Sequence, residues 1–154
     1  MKKNVILTIK GVQSIPGMPS DTVEIATCGQ LSKKNNSYWL SYEESALTGF
    51  AGYKTTLHIE DNRVTMHRTG KTESNLIIEK GMRHLCSYGT EFGLMNIGIM
   101  GSQIKNNLNE SGGKVDFSYT MDIDTALAST QHITIDVTPD TADFGGKDNA
   151  RSIQ

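Results

Sequence analysis

Apolar and polar residues alternate with a period of two along almost the whole of this chain, a pattern that suits β-strands and no other regular element. The alternation is cleanest over residues 114–124, where Val115, Phe117, Tyr119, Met121 and Ile123 share one face and Lys114, Asp116, Ser118, Thr120, Asp122 and Asp124 share the other. It recurs over residues 21–31, with Val23, Ile25, Thr27 and Leu31 set against Glu24, Ala26, Cys28 and Gln30. Over residues 37–45 it places Tyr38, Leu40, Tyr42 and Glu44 on one side, and Trp39, Ser41 and Glu43 on the other. Further strands are expected over residues 4–15, 75–80, 83–90, 94–105 and 133–138. Residues 106–113 read as a turn, and residues 47–54, with Gly49 and Gly52, as a loop or a single helical turn.

Residues 54–69 can be laid out pair by pair. A two-residue turn at Asp61-Asn62 sets Leu57 opposite Met66 and Ile59 opposite Val64 on one face. The other face then carries Thr56 with His67, His58 with Thr65 and Glu60 with Arg63. Every pair is chemically matched, as cross-strand packing requires.

Eight to ten such strands with hairpin-length connections, and no amphipathic helix, define an all-β chain with mostly antiparallel pairing. One apolar and one polar face per strand suits a single closed β-barrel, with a β-sandwich as the alternative that periodicity alone leaves open. At 154 residues the chain is expected to form one domain over residues 1–138. Residues 139–154, polar and glycine-rich, read as a flexible C-terminal tail.

Charge and composition argue against several function classes. The net charge is −2 and the basic residues are scattered, so neither a nucleic-acid partner nor a membrane surface is expected. No apolar run approaches the roughly 18 residues of a spanning helix, and the start, MKKNVILTIKG, is too short in apolar content for a secretory segment. Cys28 and Cys86 read as free thiols, so a cytoplasmic location is expected.

No catalytic residues, cofactor or metal are expected. The chain holds no nucleophile elbow and no glycine-rich phosphate loop. His84 and Cys86 share a strand face without a third, orienting residue. His58 and His67 lie diagonally on the outer hairpin face near Glu60, short of a ligand set, and Asp122 and Asp124 read as solvated outward carboxylates.

The inward face is different. Glu44 continues the face of Tyr38, Leu40 and Tyr42, and Arg68 continues that of Val64 and Met66, so a carboxylate and a guanidinium both point inward. Neither can be buried alone, so they must pair or meet water or a ligand. They form either an ion pair plugging one end of the barrel or the anchor of a small pocket. In the second reading Arg68 holds an anionic group of a small hydrophobic or amphipathic molecule, and Tyr42 and Tyr119 donate hydrogen bonds to it. The alternative function is a non-catalytic interaction module, dimeric through exposed apolar residues such as Trp39, Phe50 and Met100.

Several segments carry a resemblance. YEESALTGFAGYKTT (residues 42–56), RTG (68–70), IIEKG (77–81), SYGTEFG (87–93) and GGKVDFSYTMDID (112–124) resemble the YwiB-like family of small bacterial proteins, over most of residues 4–138. That resemblance implies a calycin-like β-barrel, akin in shape to lipocalins and fatty-acid-binding proteins. It implies no activity. The chain departs from secreted lipocalins in lacking an early Gly-x-Trp and a disulfide pair.

Overall fold

A computed structural model describes residues 2–90 and 92–140. They form strands β1 (Lys2–Ser14), β2 (Asp21–Lys34), β3 (Ser37–Glu43), β4 (Lys54–Ile59), β5 (Arg63–Thr69), β6 (Glu73–Glu79), β7 (Arg83–Thr90), β8 (Gly93–Asn109), β9 (Gly112–Ile123) and β10 (Ala126–Pro139). The only helical turn among the described residues is a 3-10 turn at Ala46–Thr48. Each strand pairs antiparallel with the next, and β1 closes on β10, giving a barrel of ten strands. Closure leaves no exposed edge, and the sandwich alternative is set aside.

The hairpin of β4 and β5 has the expected register: Leu57 faces Met66, Ile59 faces Val64, Thr56 faces His67 and His58 faces Thr65. Glu60 and Arg63 close it, through a backbone bond of 2.9 Å and a side-chain bond of 3.0 Å.

Three stretches differ from expectation. β8 runs on to Asn109, so residues 106–109 are strand, and the Asn106 and Asn109 side chains cap the tight turn by accepting from the Leu108 and Ser111 amides. β10 begins at Ala126, where a bulge between Leu127 and Ser129 breaks the alternation that would have revealed it. Pro139 still belongs to β10, and the Asp140 amide donates to the Asn4 carbonyl, so the first residues assigned to the tail are tied to β1. The rest of that tail, residues 141–154, lies outside the described residues.

The interior is solid at one end and hollow at the other. Val5, Leu7, Leu40, Ile59, Val64, Ile78, Ile99 and Val115, all essentially inaccessible to solvent, fill the end that carries the chain start and the β4–β5 and β8–β9 turns. Inward residues nearer the other end are smaller or polar: Gly11 and Gln13 on β1, Thr55 on β4, and Ser129 and Gln131 on β10. The β1–β2, β3–β4, β5–β6, β7–β8 and β9–β10 connections all lie at that hollow end.

Two glycines on β8 make the closure possible. A Cβ at Gly101 would lie 2.7 Å from the Glu79 backbone, because the β6–β7 turn folds onto β8 there and the Gly81 amide donates to the Gly101 carbonyl at 2.9 Å. A Cβ at Gly98 would overlap a salt bridge laid across the outside of the barrel, from Arg83 on β7 to Asp122 on β9. Asp122, expected as a solvated carboxylate, is instead held by Arg83 at 2.7 and 2.9 Å and by the Thr125 amide, which lowers its pKa. Asp124 lies in the exposed β9–β10 turn in the left-handed conformation (φ 53°).

Candidate functional site

Three adjacent strands deliver the polar residues of the hollow end. Glu44 immediately follows β3 and keeps its inward parity, while its amide donates to the Tyr53 carbonyl at 2.8 Å and closes the 44–53 loop. The loop begins with Ser45 capping the 3-10 turn, whose amide at Leu47 donates to the Ser45 hydroxyl, and the turn ends at Gly49 in the left-handed conformation. It is pinned at its far side by the Tyr53 hydroxyl, which lies 3.0 Å from the Thr72 hydroxyl and accepts from the Thr72 amide.

Glu44 and Arg68 meet as their parity requires, but loosely, at 3.5 Å. Thr55 does the tighter work. Its hydroxyl donates to Oε2 of Glu44 and accepts from Nε of Arg68 at 3.2 Å. Thr48, in the 3-10 turn, donates to the other carboxylate oxygen at 2.8 Å. The Arg68 guanidinium lies 3.9 Å from the centre of the Phe50 ring, which folds down over it from the loop. Among the described residues, Nη1 of Arg68 makes no hydrogen bond.

Glu44, Thr48, Phe50 and Arg68 form part of the wall of a cavity of about 320 Å3. Its deeper wall is apolar: Ile9, Ile25, Leu57, Leu76, Phe117 and Ile135. Its mouth is rimmed by Gln13, Asp21, Ser129 and Gln131. Tyr42 and Tyr119, both more than nine-tenths buried, also line it. Burial pushes the Tyr42 phenol well above its ordinary pKa, with the neighbouring Glu44 carboxylate adding to the shift. Burial likewise raises Tyr119 to about 12, against some opposition from Arg68. Both hydroxyls therefore stay protonated as donors at neutral pH. That of Tyr119 has no hydrogen-bond partner among the described residues.

The four sequence-predicted interior residues, Tyr42, Glu44, Arg68 and Tyr119, thus line one cavity. The other candidates do not converge. His58 is 3.0 Å from the Ser37 hydroxyl and stacked on Trp39, His67 pairs with Glu73 at 2.7 Å, and His84 with Glu79 at 2.9 Å. No group of three or more metal-ligating side chains occurs among the described residues. Cys86 is buried, its sulfur accepting from the Ile77 amide, and burial raises its pKa.

Sequence reasoning missed Thr55, Thr48 and Phe50. Thr55 was accessible to it, being two residues before Leu57 and so of inward parity. Phe50 was expected on the outside; it packs on Arg68 because the loop carries it back over the cavity. Trp39 on β3 and Met100 on β8 stand on opposite sides of the barrel, so these three apolar residues share no patch.

Comparison with known proteins agrees with the architecture. Residues 7–135 match the family described as a domain of unknown function, DUF1934. The chain is 24% identical over 131 residues to the uncharacterized beta-barrel protein YwiB of Bacillus subtilis (strain 168), covering 85% of this chain and 90% of that one. The crystal structure of the ywiB protein from Bacillus subtilis superposes with a TM-score of 0.74 at 23% identity, covering 88% of this chain and 92% of the other. The fold and the YwiB-like resemblance read from the residues are borne out.

Proposed function

The chain belongs to the DUF1934 family, and from that premise we propose that it is a binding barrel for a small amphipathic molecule with an anionic head. One observation carries this reading: a buried tyrosine hydroxyl without a protein partner among the described residues and an unused edge of a guanidinium only 13% exposed face the same cavity. A pure plug would satisfy its own polar groups, because an unpaired buried donor costs about 1–3 kcal/mol. An anionic head accepting from Nη1 of Arg68 and from the two tyrosines removes that cost, and the apolar wall takes the rest of the ligand.

The volume limits the ligand. At roughly 30 Å3 per water-sized group, a cavity of about 320 Å3 holds on the order of ten heavy atoms. A short-chain or aromatic carboxylate fits; a full-length fatty acid does not. In this reading the barrel works in the manner of calycin-shaped binding proteins. We place it in the cytoplasm, supported by two free cysteines, Cys28 exposed and Cys86 buried.

Native mass spectrometry of the protein purified from its own host tests this. A co-purifying small acid is expected, retained by the wild type and lost from Arg68→Gln and Tyr119→Phe. Recovery of the bare chain alone, with no thermal shift from a panel of small carboxylates, would overturn the reading.

A further inference from the structure

The outside of the barrel carries a second site, unconnected to the cavity. The strand register sets Lys2 opposite Ser32, Ser32 opposite Trp39 and Trp39 opposite His58, one row running across β1, β2, β3 and β4. Around this row lies a shallow depression lined by Lys2, Lys33, Lys34 and Lys54, with Trp39 at its centre and no carboxylate in its wall. Dispersed along the sequence, these four lysines gave no basic patch; hairpin register brings them together in a chain of net charge −2.

Two of the lysines have an acidic neighbour. Lys33 reaches Glu110 at 3.6 Å, and Glu43 stands opposite Lys54 in the β3–β4 ladder. Lys2 and Lys34 make no ion pair among the described residues. Trp39 is 38% exposed, a large apolar surface in a depression otherwise lined by lysines and by Gln30, Ser32, Ser41 and Thr56. It is held flat: the His58 ring stacks on it at 4.0 Å with 10° between planes, and the Ser37 hydroxyl lies 3.0 Å from Nε2 of His58.

We propose that this face binds single-stranded nucleic acid, with Lys2, Lys34 and Lys54 taking backbone phosphates and the Trp39–His58 stack offering a platform for a base. A rigid aromatic surface within a ring of ammonium groups is what sequence-tolerant single-strand binding requires. The polar residues between them, Gln30, Ser32, Ser41 and Thr56, supply neutral donors and acceptors for sugar and base edges. From β1 to β4 the face spans three strand spacings, about 14 Å, which suits a few nucleotides and no more. Duplex is disfavoured, since its bases are stacked away from Trp39.

Trp39 is the sole tryptophan of the chain, so its fluorescence reports on this face alone. Titration with octa-uridylate is expected to quench it saturably, and labelled octa-uridylate to gain anisotropy over the same range. Three phosphate contacts give a slope of roughly −2 in log affinity against log salt. The Lys2→Gln/Lys34→Gln/Lys54→Gln variant, altered only at the surface, is expected to bind at least tenfold more weakly. Trp39→Phe, followed by anisotropy, should bind several-fold more weakly, and Arg68→Gln should bind as the wild type does. Absence of saturable quenching would overturn the proposal. So would wild-type affinity in the triple-lysine variant, or inorganic polyphosphate competing as well as the oligonucleotide while Trp39→Phe has no effect.

Discussion

The Thr55 hydroxyl donates its proton to the Glu44 carboxylate and in turn accepts from Arg68, so a neutral side chain joins the buried carboxylate and the part-buried guanidinium at closer range than they approach each other. Thr55 is fully buried, and nothing else among the described residues takes both roles. Replacing it with valine keeps the shape and removes both bonds. Hydrogen bonds to charged groups contribute roughly 1.5–3 kcal/mol each, so Thr55→Val is expected to lower stability by about 3 kcal/mol in urea unfolding. Thr55→Ser, which restores the hydroxyl, should recover most of that loss. Near-neutral behaviour of the valine variant would show that the direct Glu44–Arg68 contact is sufficient.

Removal of the pair should be non-additive. Glu44→Leu leaves a guanidinium facing an apolar wall, and Arg68→Met leaves a carboxylate served only by neutral hydroxyls, those of Thr48, Thr55 and Tyr42. Each single change is expected to cost about 3 kcal/mol, the usual scale for stranding a buried charge. The double variant Glu44→Leu/Arg68→Met should cost clearly less than the sum, because no charge is then left without a partner. Chemical denaturation of all four proteins closes the cycle, and additive losses would mean that water already screens the two groups from each other.

These two residues were legible from parity alone, since a strand's alternation fixes which side chains face inward wherever the turn sets the register. The Asp61-Asn62 turn did so for β4 and β5, and Arg68 followed from Val64 and Met66. Thr55 obeyed the same rule yet drew no notice, because a threonine on an inward face looks like a tolerated polar residue until its partners are known. Phe50 could not be placed, since the path of the 44–53 loop depends on Tyr53 reaching Thr72 in the neighbouring β5–β6 connection. The Arg83–Asp122 bridge joins residues 39 apart across an intervening strand, and only Gly98 makes room for it. The lysines around Trp39 were invisible for the same reason: their proximity is set by three successive registers, none of them marked by charge in the sequence.

The two β8 glycines should respond differently to alanine. At Gly98 the new methyl meets the far ends of the Arg83 and Asp122 side chains, which can swing aside into solvent. At Gly101 it meets the Glu79 backbone, which is fixed by the neighbouring turn and cannot. Overpacking against a rigid neighbour costs about 1–3 kcal/mol, against a gain of up to roughly 1 kcal/mol for removing a strand glycine. Gly101→Ala is therefore expected to lower the melting temperature by several degrees, and Gly98→Ala to leave it within a degree or two while weakening the Arg83–Asp122 pair. Equal effects at the two positions would mean that the β6–β7 turn yields as readily as a surface side chain.

Tyr119 makes stability fall with rising pH over a defined window. Its folded pKa is about 12 because burial opposes the phenolate, whereas in the unfolded chain it titrates near 10. Below about pH 10 the phenol is protonated in both states, and its preference for the folded environment is fully present. As pH rises from about 10 to 12 the unfolded chain ionises and the folded one does not, so stability falls by about 1.4 kcal/mol per pH unit for this group. Tyr42, raised for the same reason and further by Glu44, adds a loss of the same sign. Tyr119→Phe removes one of the two. Unfolding free energies of wild type and variant at pH 9, 10, 11 and 12 should therefore shift relative to each other in favour of Tyr119→Phe, by about 1.4 kcal/mol for each unit above 10. A constant difference across that range would mean that the Tyr119 phenol ionises as freely in the barrel as in water, and that the cavity is wetter than its buried walls imply.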